Sequence, residues 1–236
     1  MADAVTFHNK LARTWDERYG RRSFHQREQV VTKLLQGIPL ESRNWLDAGC
    51  GSGRLSRLLA FQGARVIAVD AATDMLKIGE QLATPGSFGE RLRFQQVEDV
   101  ATLPFVDNSF DGVLCSSVLE YLHDPIGCLS EFSRVLRPGG ALLVSIPNKY
   151  SPLRQTQSAI FKVSRLLGHS GFPGYLNYSH NVSGRTDFED ALRAAGLVPE
   201  VCEYFGGPWP TVAQTWPWLG SLMMFRARRD AFSRNN

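Results

Sequence analysis

A glycine-rich turn is the first feature of the sequence with a clear chemical use. The apolar run 44–48 ends in the turn Gly49-Cys50-Gly51-Ser52-Gly53, and the acid Asp47 stands just before it. Glycines between a strand and a helix let a ligand approach the backbone, because no Cβ stands in the way. The spacing is GxGxG and not the GxGxxG of dinucleotide-binding proteins, so the turn alone does not identify the ligand.

Two aspartates follow the next predicted strands. Asp70 ends the apolar run 65–69, and Asp99 with Val100 comes shortly after the run 92–97. A carboxylate at a strand end can accept both hydroxyls of a ribose in charge-assisted hydrogen bonds. Because open α/β sheets bind ligands at the carboxyl ends of their strands, these acids are expected to lie near the glycine turn.

The elements that must position these residues alternate between strand and helix. Apolar runs predict strands at 44–48, 65–69, 92–97, 110–115 and 141–146, with helices between them, and two later strands at 198–204 and 219–225. This alternation predicts the α/β class, as a Rossmann-like, mostly parallel, seven-stranded sheet with helices on both faces.

Four segments make up a single predicted domain over residues 1–236. An N-terminal helical lid (1–43) precedes the core (44–147), a cap insertion follows the fifth strand (148–180), and a C-terminal helix and strands (181–236) end the chain. The helix of this last part is predicted to open with Thr186 as N-cap and Glu189 three residues later. The amphipathic helix 152–167 in the cap has two interpretations, a lid over an acceptor pocket or a peripheral contact with a membrane.

The motifs in their order resemble the class I S-adenosylmethionine-dependent methyltransferases of the UbiE/UbiG-like group (methyltransferase type 11). The resemblance rests on 46–53, Asp70, the stretch 99–105, Ser109-Phe110-Asp111, the stretch 119–125 and Arg134-Val135-Leu136-Arg137-Pro138-Gly139-Gly140. It covers residues 44–146 well and 180–204 loosely. One departure is Glu98, where the family usually has glycine.

The resemblance implies S-adenosyl-L-methionine as cofactor, with S-adenosyl-L-homocysteine as product, and a role for each matching residue. The glycine turn would border the methionine portion, Asp70 would bind the ribose, and Asp99 the adenine amino group. The implied cofactor-binding residues are Tyr19, Asp47, Gly49, Gly51, Gly53, Asp70, Ala71, Asp99, Val100 and Ser116.

The acceptor side is less defined by the sequence. An aromatic or otherwise apolar small molecule is expected, and O- and N-methylation both stay open. An oxygen acceptor needs a base, for which His180 is the first candidate and His123 the second. No metal is expected, since no histidines or carboxylates stand at ligand spacing.

Composition and charge limit the partners and the cellular location that the sequence allows. The net charge of +3 is small and scattered, which argues against nucleic acid as a partner. No apolar run reaches the roughly 20 residues of a membrane span, no signal peptide is visible, and a cytoplasmic location is expected. Two rival functions remain, a nicotinamide-dependent oxidoreductase and a non-catalytic adenosylmethionine-binding protein; the oxidoreductase leaves the stretch 99–105 unexplained.

Overall fold

The computed structural model describes residues 2–12, 20–83, 88–169, 174–207 and 215–231. Its strands form one seven-stranded sheet in the order β3-β2-β1-β4-β5-β7-β6, and β7 runs antiparallel to both of its neighbours. The strands are β1 (Asn44–Ala48), β2 (Arg65–Asp70), β3 (Leu92–Gln96), β4 (Phe110–Cys115), β5 (Leu136–Pro147), β6 (Leu197–Phe205) and β7 (Leu222–Arg229). The predicted mostly parallel Rossmann-like sheet is confirmed.

Helices cover both faces of this sheet. They are α1 (Ala2–Leu11), α2 (Gly20–Leu34), α3 (Arg54–Phe61), α4 (Thr73–Leu82), α5 (Pro125–Val135), α6 (Pro152–Leu166) and α7 (Arg185–Ala194). Successive strand residues point to opposite faces, so Leu142 and Val144 of β5 join one buried cluster while Ala141 and Leu143 join the other.

Register brings the predicted ligand-binding strand ends together. Ala48 at the end of β1 pairs with Val69 of β2, and Asp47 pairs with Leu114 of β4. These parallel neighbours therefore end at the same edge of the sheet, where the loops after β1, β2 and β4 meet.

Several predicted boundaries differ from the structure. β5 starts at Leu136 and not at residue 141, because Leu136 already pairs with Phe110 before a register shift in β4. β7 begins at Leu222, after a short 3-10 turn over Pro217–Leu219, so the prediction of a strand at 219–225 was three residues early.

The predicted cap of the last helix is also wrong. α7 begins at Arg185, with Gly184 at the N-cap and no side-chain hydrogen bond there, so Thr186 already lies inside the helix. Glu189 instead pairs with Arg185 at 2.7 Å and with Arg193 at 3.5 Å.

α6 differs from the other helices of the cap and core in its burial. None of its residues is buried, and the apolar side chains Ile160, Val163 and Leu166 are 48%, 54% and 86% exposed. In the part of the chain that the structure describes, no helix combines the length and apolar character that crossing a bilayer requires.

Candidate active site

The glycine turn after β1 is held by the backbone of β2. The amides of Gly49 and Cys50 both donate to the carbonyl of Val69, at 2.8 and 2.9 Å. Gly49, Gly51 and Gly53 have φ values of 75°, 55° and 71°, in the left-handed region that favours glycine. A Cβ at Gly49 would lie 2.2 Å from Val118 Cγ2, whereas one at Gly51 would meet nothing within 4 Å. The turn is therefore closed on one side and open toward a ligand on the other.

Asp70, the last residue of β2, is hydrogen-bonded to the glycine turn. Its Oδ2 accepts the Gly51 amide and its Oδ1 accepts the Ala72 amide, both at 2.8 Å. Burial raises the pKa of Asp70, while these hydrogen bonds act in the opposite direction. Each carboxylate oxygen has a second lone pair, so a diol can still be bound while the backbone orients the side chain.

Asp47 is more deeply buried, at 2% exposure, and accepts a hydrogen bond from Ser56 Oγ at 2.5 Å. Desolvation raises its pKa to about 7, with a smaller contribution from the neighbouring charge of Asp70. Its contacts are thus mainly with the protein itself, on the inner side of the glycine turn.

Asp99 orders the loop after β3. Its Oδ1 accepts the amide of Ala101 at 2.9 Å. The stretch 103–105 that follows is fixed to α5, where Glu131 accepts the Leu103 amide at 2.7 Å and Arg134 donates to the Phe105 carbonyl at 2.8 Å. The pKa of Glu131 is lowered, chiefly by its hydrogen bond with Arg134. This motif therefore holds the Asp99 loop in place.

A single cavity collects nearly all of the predicted cofactor residues, and we call it the cofactor cavity. Its lining includes Asp47, Gly49, Gly51, Asp70, Ala71, Asp99, Val100 and Ser116. Gly53 does not line it. A Cβ at Gly53 would lie 2.5 Å from the ring of Phe94, so this glycine permits close packing of α3 against β3. Tyr19 lies outside the described residues.

Arg27 of α2 is a cavity residue that the motifs did not indicate. Its Nη2 donates to Ser117 Oγ at 2.8 Å, and its buried Nε has no hydrogen-bond partner among the described residues. Ser116 Oγ, also buried, is equally unpartnered. Since Arg27 and Ser117 stand 90 residues apart, sequence spacing gives no sign of this contact. Unpaired polar atoms here fit a ligand with a carboxylate and a cationic centre, as S-adenosylmethionine has.

His8 of α1 was also missed. It lines the cofactor cavity, and its ring centroid lies 5.2 Å from that of Tyr121, another lining residue. α1 reaches this position because Ala12, just after the helix, packs with Ala72 and Met75 of the α4 region. The sequence predicted a helical lid over residues 1–43, but nothing in it indicated which helix face would meet the cavity.

The two histidines chosen from the sequence lie elsewhere. His123 is exposed and does not line the cofactor cavity. His180 is exposed and lines a second cleft of about 470 Å³ between α6 and the chain that follows it. We call this the basic cleft; its polar lining includes Lys149, Arg154, Ser158, Lys162, Ser179 and His180.

The search for metal ligands covers the described ranges alone. Across 2–12, 20–83, 88–169, 174–207 and 215–231, no three histidine, cysteine, aspartate or glutamate side chains group as a metal site. The expectation of a metal-free site stays a prediction.

Comparison with known proteins gives a consistent result for the core. Residues 46–144 match a family described as methyltransferase domain. A ubiquinone biosynthesis O-methyltransferase of Xylella fastidiosa is 32% identical over 136 residues, which are 57% of this chain and 54% of that protein. The chain therefore aligns with about half the length of such a relative.

Solved structures extend the similarity of fold to most of the chain. Magnesium protoporphyrin IX methyltransferase of Synechocystis, solved with bound S-adenosylhomocysteine, gives a TM-score of 0.71 at 21% identity, over 96% of this chain and 100% of that one. The cyclase SpnF gives 0.64 at 19% identity, over 86% and 80%. The family match over residues 46–144 agrees with the resemblance predicted from the motifs, and the solved structures share the fold of most of the chain.

Proposed function

We propose that this chain transfers a methyl group from S-adenosylmethionine to a hydroxyl of a small aromatic or apolar molecule. The observation that carries the proposal is the cofactor cavity, in which the glycine turn, Asp70 and Asp99 meet two unpartnered polar atoms, Arg27 Nε and Ser116 Oγ. The relative from Xylella fastidiosa, an O-methyltransferase by name, supports oxygen as the acceptor atom.

The chain's own residues fit each part of the cofactor. Asp70 would accept the ribose hydroxyls, and Asp99 the adenine amino group, with the Val100 amide on the ring. Arg27 would pair with the methionine carboxylate, since a guanidinium binds carboxylates in charge-assisted hydrogen bonds. The region of Gly51, where an added Cβ would meet open space, leaves room for the methionine chain.

When bound, S-adenosylmethionine supplies an activated methyl group on a sulfonium sulfur. The protein then has to align the acceptor and remove its proton, and alignment alone can lower a barrier by about 7–11 kcal/mol. Among the described residues His8 is the cavity-lining imidazole, so we propose His8 as the proton acceptor. His180 and His123 remain alternatives from the sequence, although both lie outside the lining of this cavity.

α1 would also exclude water from the reaction. Val5 and His8 of this helix line the cavity, and Phe7 contacts Tyr178 with ring centroids 4.9 Å apart. We propose that α1 acts as the N-terminal lid, while α6 and the chain up to residue 180 form the cap on the acceptor side. The cytoplasm remains the predicted location.

Two rival functions are separated by the same experiment. A nicotinamide-dependent oxidoreductase would bind NADH. The similarity in fold to a cyclase shows that this fold alone does not fix the reaction. A non-catalytic protein would bind the cofactor without transferring its methyl group.

The test is titration calorimetry with S-adenosylhomocysteine and NADH, followed by labelled-methyl transfer to a panel of phenols, amines and quinone precursors. We expect micromolar or tighter binding of S-adenosylhomocysteine, none of NADH, and transfer to a phenol. Asp70→Asn should weaken the binding of S-adenosylhomocysteine by about 1.5–3 kcal/mol. The exposed Asp74→Asn on α4 is the control, and equal affinities of the two variants would refute the ribose assignment.

A second proposal concerns α6, which would also rest on an anionic membrane surface. Its exposed apolar side chains include Leu166 at 86% and the adjoining Leu167 at 70%, and Lys162 and Arg165 flank them. Apolar insertion combined with basic flanks is the pattern of an interfacial helix.

Co-sedimentation with phosphatidylglycerol vesicles checks this contact. Leu166→Ser should lower the bound fraction severalfold, whereas Phe61→Ser, at a side chain of 82% exposure on α3, should not. If the unaltered chain does not bind the vesicles, the membrane contact is refuted and the cap is the remaining role of α6.

A further inference from the structure

The basic cleft carries an excess of positive charge that the proposed chemistry does not use. Lys149, Arg154 and Lys162 all line it, together with His180, and no carboxylate side chain belongs to the described lining. The sequence shows the same bias over a longer stretch. Residues 132–186 contain no aspartate or glutamate, while five lysines and arginines fall within 148–186.

These cations lack ion-pair partners inside the described chain. None of Lys149, Arg154 and Lys162 forms a salt bridge with another described residue. Lys149 and Arg154 each lie over an aromatic ring instead, Tyr150 at 5.8 Å and Tyr175 at 5.5 Å. Such contacts leave the donors of the cations available to a ligand.

Two polar atoms at the cleft are buried without a partner. Arg154 Nη1 and Ser179 Oγ are buried and have no hydrogen bond to a described residue. Buried donors are nearly always satisfied in folded proteins, and leaving one unpaired costs about 1–3 kcal/mol, more for a charged group. Both residues line the cleft, so an anion bound there could supply the missing partners.

Glu120 is the charged side chain that lies between the two cavities. It is buried at 3% exposure, and both Arg27 and Arg154 act on it electrostatically. One carboxylate against two guanidiniums leaves a positive charge uncompensated, before Lys149 and Lys162 are counted. Glu120 therefore does not neutralise the cleft.

The stretch 119–122 borders both cavities. The Glu120 carbonyl accepts the amide of His180 at 2.8 Å on the side of the basic cleft, while the next residue, Tyr121, lines the cofactor cavity. The cavities also follow adjacent strands, β4 and β5, which lie about 5 Å apart in a sheet. A single molecule that contacts both cavities would therefore have to span the stretch 119–122.

We propose that the basic cleft binds an anionic group, a carboxylate or a phosphate, on the methyl acceptor itself. This inference rests on the proposed function and narrows its substrate class to acidic aromatic or apolar molecules. The reacting hydroxyl lies at the cofactor cavity, and the anion lies against Arg154, Lys162 and Ser179. The cleft fixes the acceptor's orientation by its charged end, and a neutral analogue loses that anchor.

Binding of simple probes tests the site without depending on turnover. Benzoate, phenyl phosphate, inorganic phosphate and the neutral benzamide are titrated into the full chain saturated with S-adenosylhomocysteine, by calorimetry. We expect benzoate or phenyl phosphate to bind and benzamide to bind at least about tenfold more weakly. Arg154→Gln should lower the affinity for the anionic probe by about tenfold. Lys162→Gln, at an exposed side chain, should lower it by about threefold. Arg165→Gln, on the same helix but outside the lining, is the matched control and should change nothing.

Each other outcome overturns the inference. Equal binding of benzoate and benzamide, or anion binding that survives both Arg154→Gln and Lys162→Gln, removes the anion site. Inorganic phosphate bound as tightly as phenyl phosphate makes it a site for free anions and not for an acceptor. All variants should keep their affinity for S-adenosylhomocysteine, so failure of the unaltered chain to bind that probe refutes the proposed function separately from the cleft.

Discussion

The cofactor cavity and the basic cleft each contain two buried polar atoms without a partner among the described residues, yet they hold their charged side chains in different ways. In the cofactor cavity Asp70 is held by the amides of Gly51 and Ala72, and Asp99 by the amide of Ala101. In the basic cleft Arg154 Nη1 and Ser179 Oγ are buried without partners. The acids of the first site are oriented by backbone amides, whereas the cations of the second are, in our proposal, paired by the anion that they bind.

The comparison bears on where specificity lies. A site whose side chains are fixed by backbone amides presents the same groups to one ligand, which suits a cofactor shared by many enzymes. A cleft formed by an exposed helix and long cationic side chains tolerates changes in its ligand. The acceptor should accordingly be decided by residues 148–183 and not by the matched segment 46–144.

The largest expected effect concerns the buried acid of the cofactor cavity. Because burial raises the pKa of Asp47 to about 7 from its ordinary 3.8, the unfolded chain loses this proton at lower pH than the folded chain does. The contribution of Asp47 to the free energy of unfolding should therefore be largest below pH 4. It should fall as pH rises toward 7, by up to about 4 kcal/mol.

Asp47→Asn removes the titrating group and should flatten that part of the profile. Denaturant unfolding between pH 4 and 8 measures it, with Asp74→Asn as an exposed control that keeps the slope of the unaltered chain. If the free energy of unfolding changed with pH in the same way in the unaltered chain and both variants, Asp47 would be solvated in the folded state. The cofactor cavity would then differ less from the exposed basic cleft.

The second effect separates the two sites by their histidines. His8→Gln should lower kcat by about 100-fold, within the range for a lost general base, because His8 lines the cofactor cavity. His180→Gln should leave kcat within a few-fold and raise KM for an acidic acceptor, since His180 lines the basic cleft. Steady-state kinetics with the acceptor found by the transfer panel measures both. A loss of kcat in His180→Gln alone would place the proton acceptor in the cleft, as the sequence predicted.

Most of the residues predicted to bind the cofactor line one cavity, because they follow the ends of neighbouring strands. Gly49, Asp70 and Asp99 each follow an apolar run, and strands of a parallel sheet necessarily end at one edge. The pattern that predicted Gly53 as a ligand residue could not show that Phe94, 41 positions later, packs against it.

The other residues of the site depend on contacts over long sequence separations. Arg27 meets Ser117 across 90 positions. The helix α1, which carries His8, packs on the α4 region through Val5 and Ala12. Helical periodicity gives a helix and its apolar face, but not the partner of that face. In the same way the apolar stripe of α6 allowed either a lid or a membrane contact, and in the structure that face is exposed.

The smallest expected effect tests whether α6 contributes to the stability of the fold at all. Leu166 is 86% exposed, so Leu166→Ala removes few contacts and should change the free energy of unfolding by less than about 0.5 kcal/mol. Leu129 of α5 is 1% exposed within the core that supports the Asp99 loop, and Leu129→Ala should cost about 2–5 kcal/mol. Urea unfolding of the two variants gives both values under one condition.

If Leu166→Ala were as costly as Leu129→Ala, the apolar stripe of α6 would be packed in solution. The cap would then be part of the folded core, and the basic cleft would be a fixed site like the cofactor cavity. A negligible change keeps α6 as a surface whose side chains are free to serve the acceptor or a membrane.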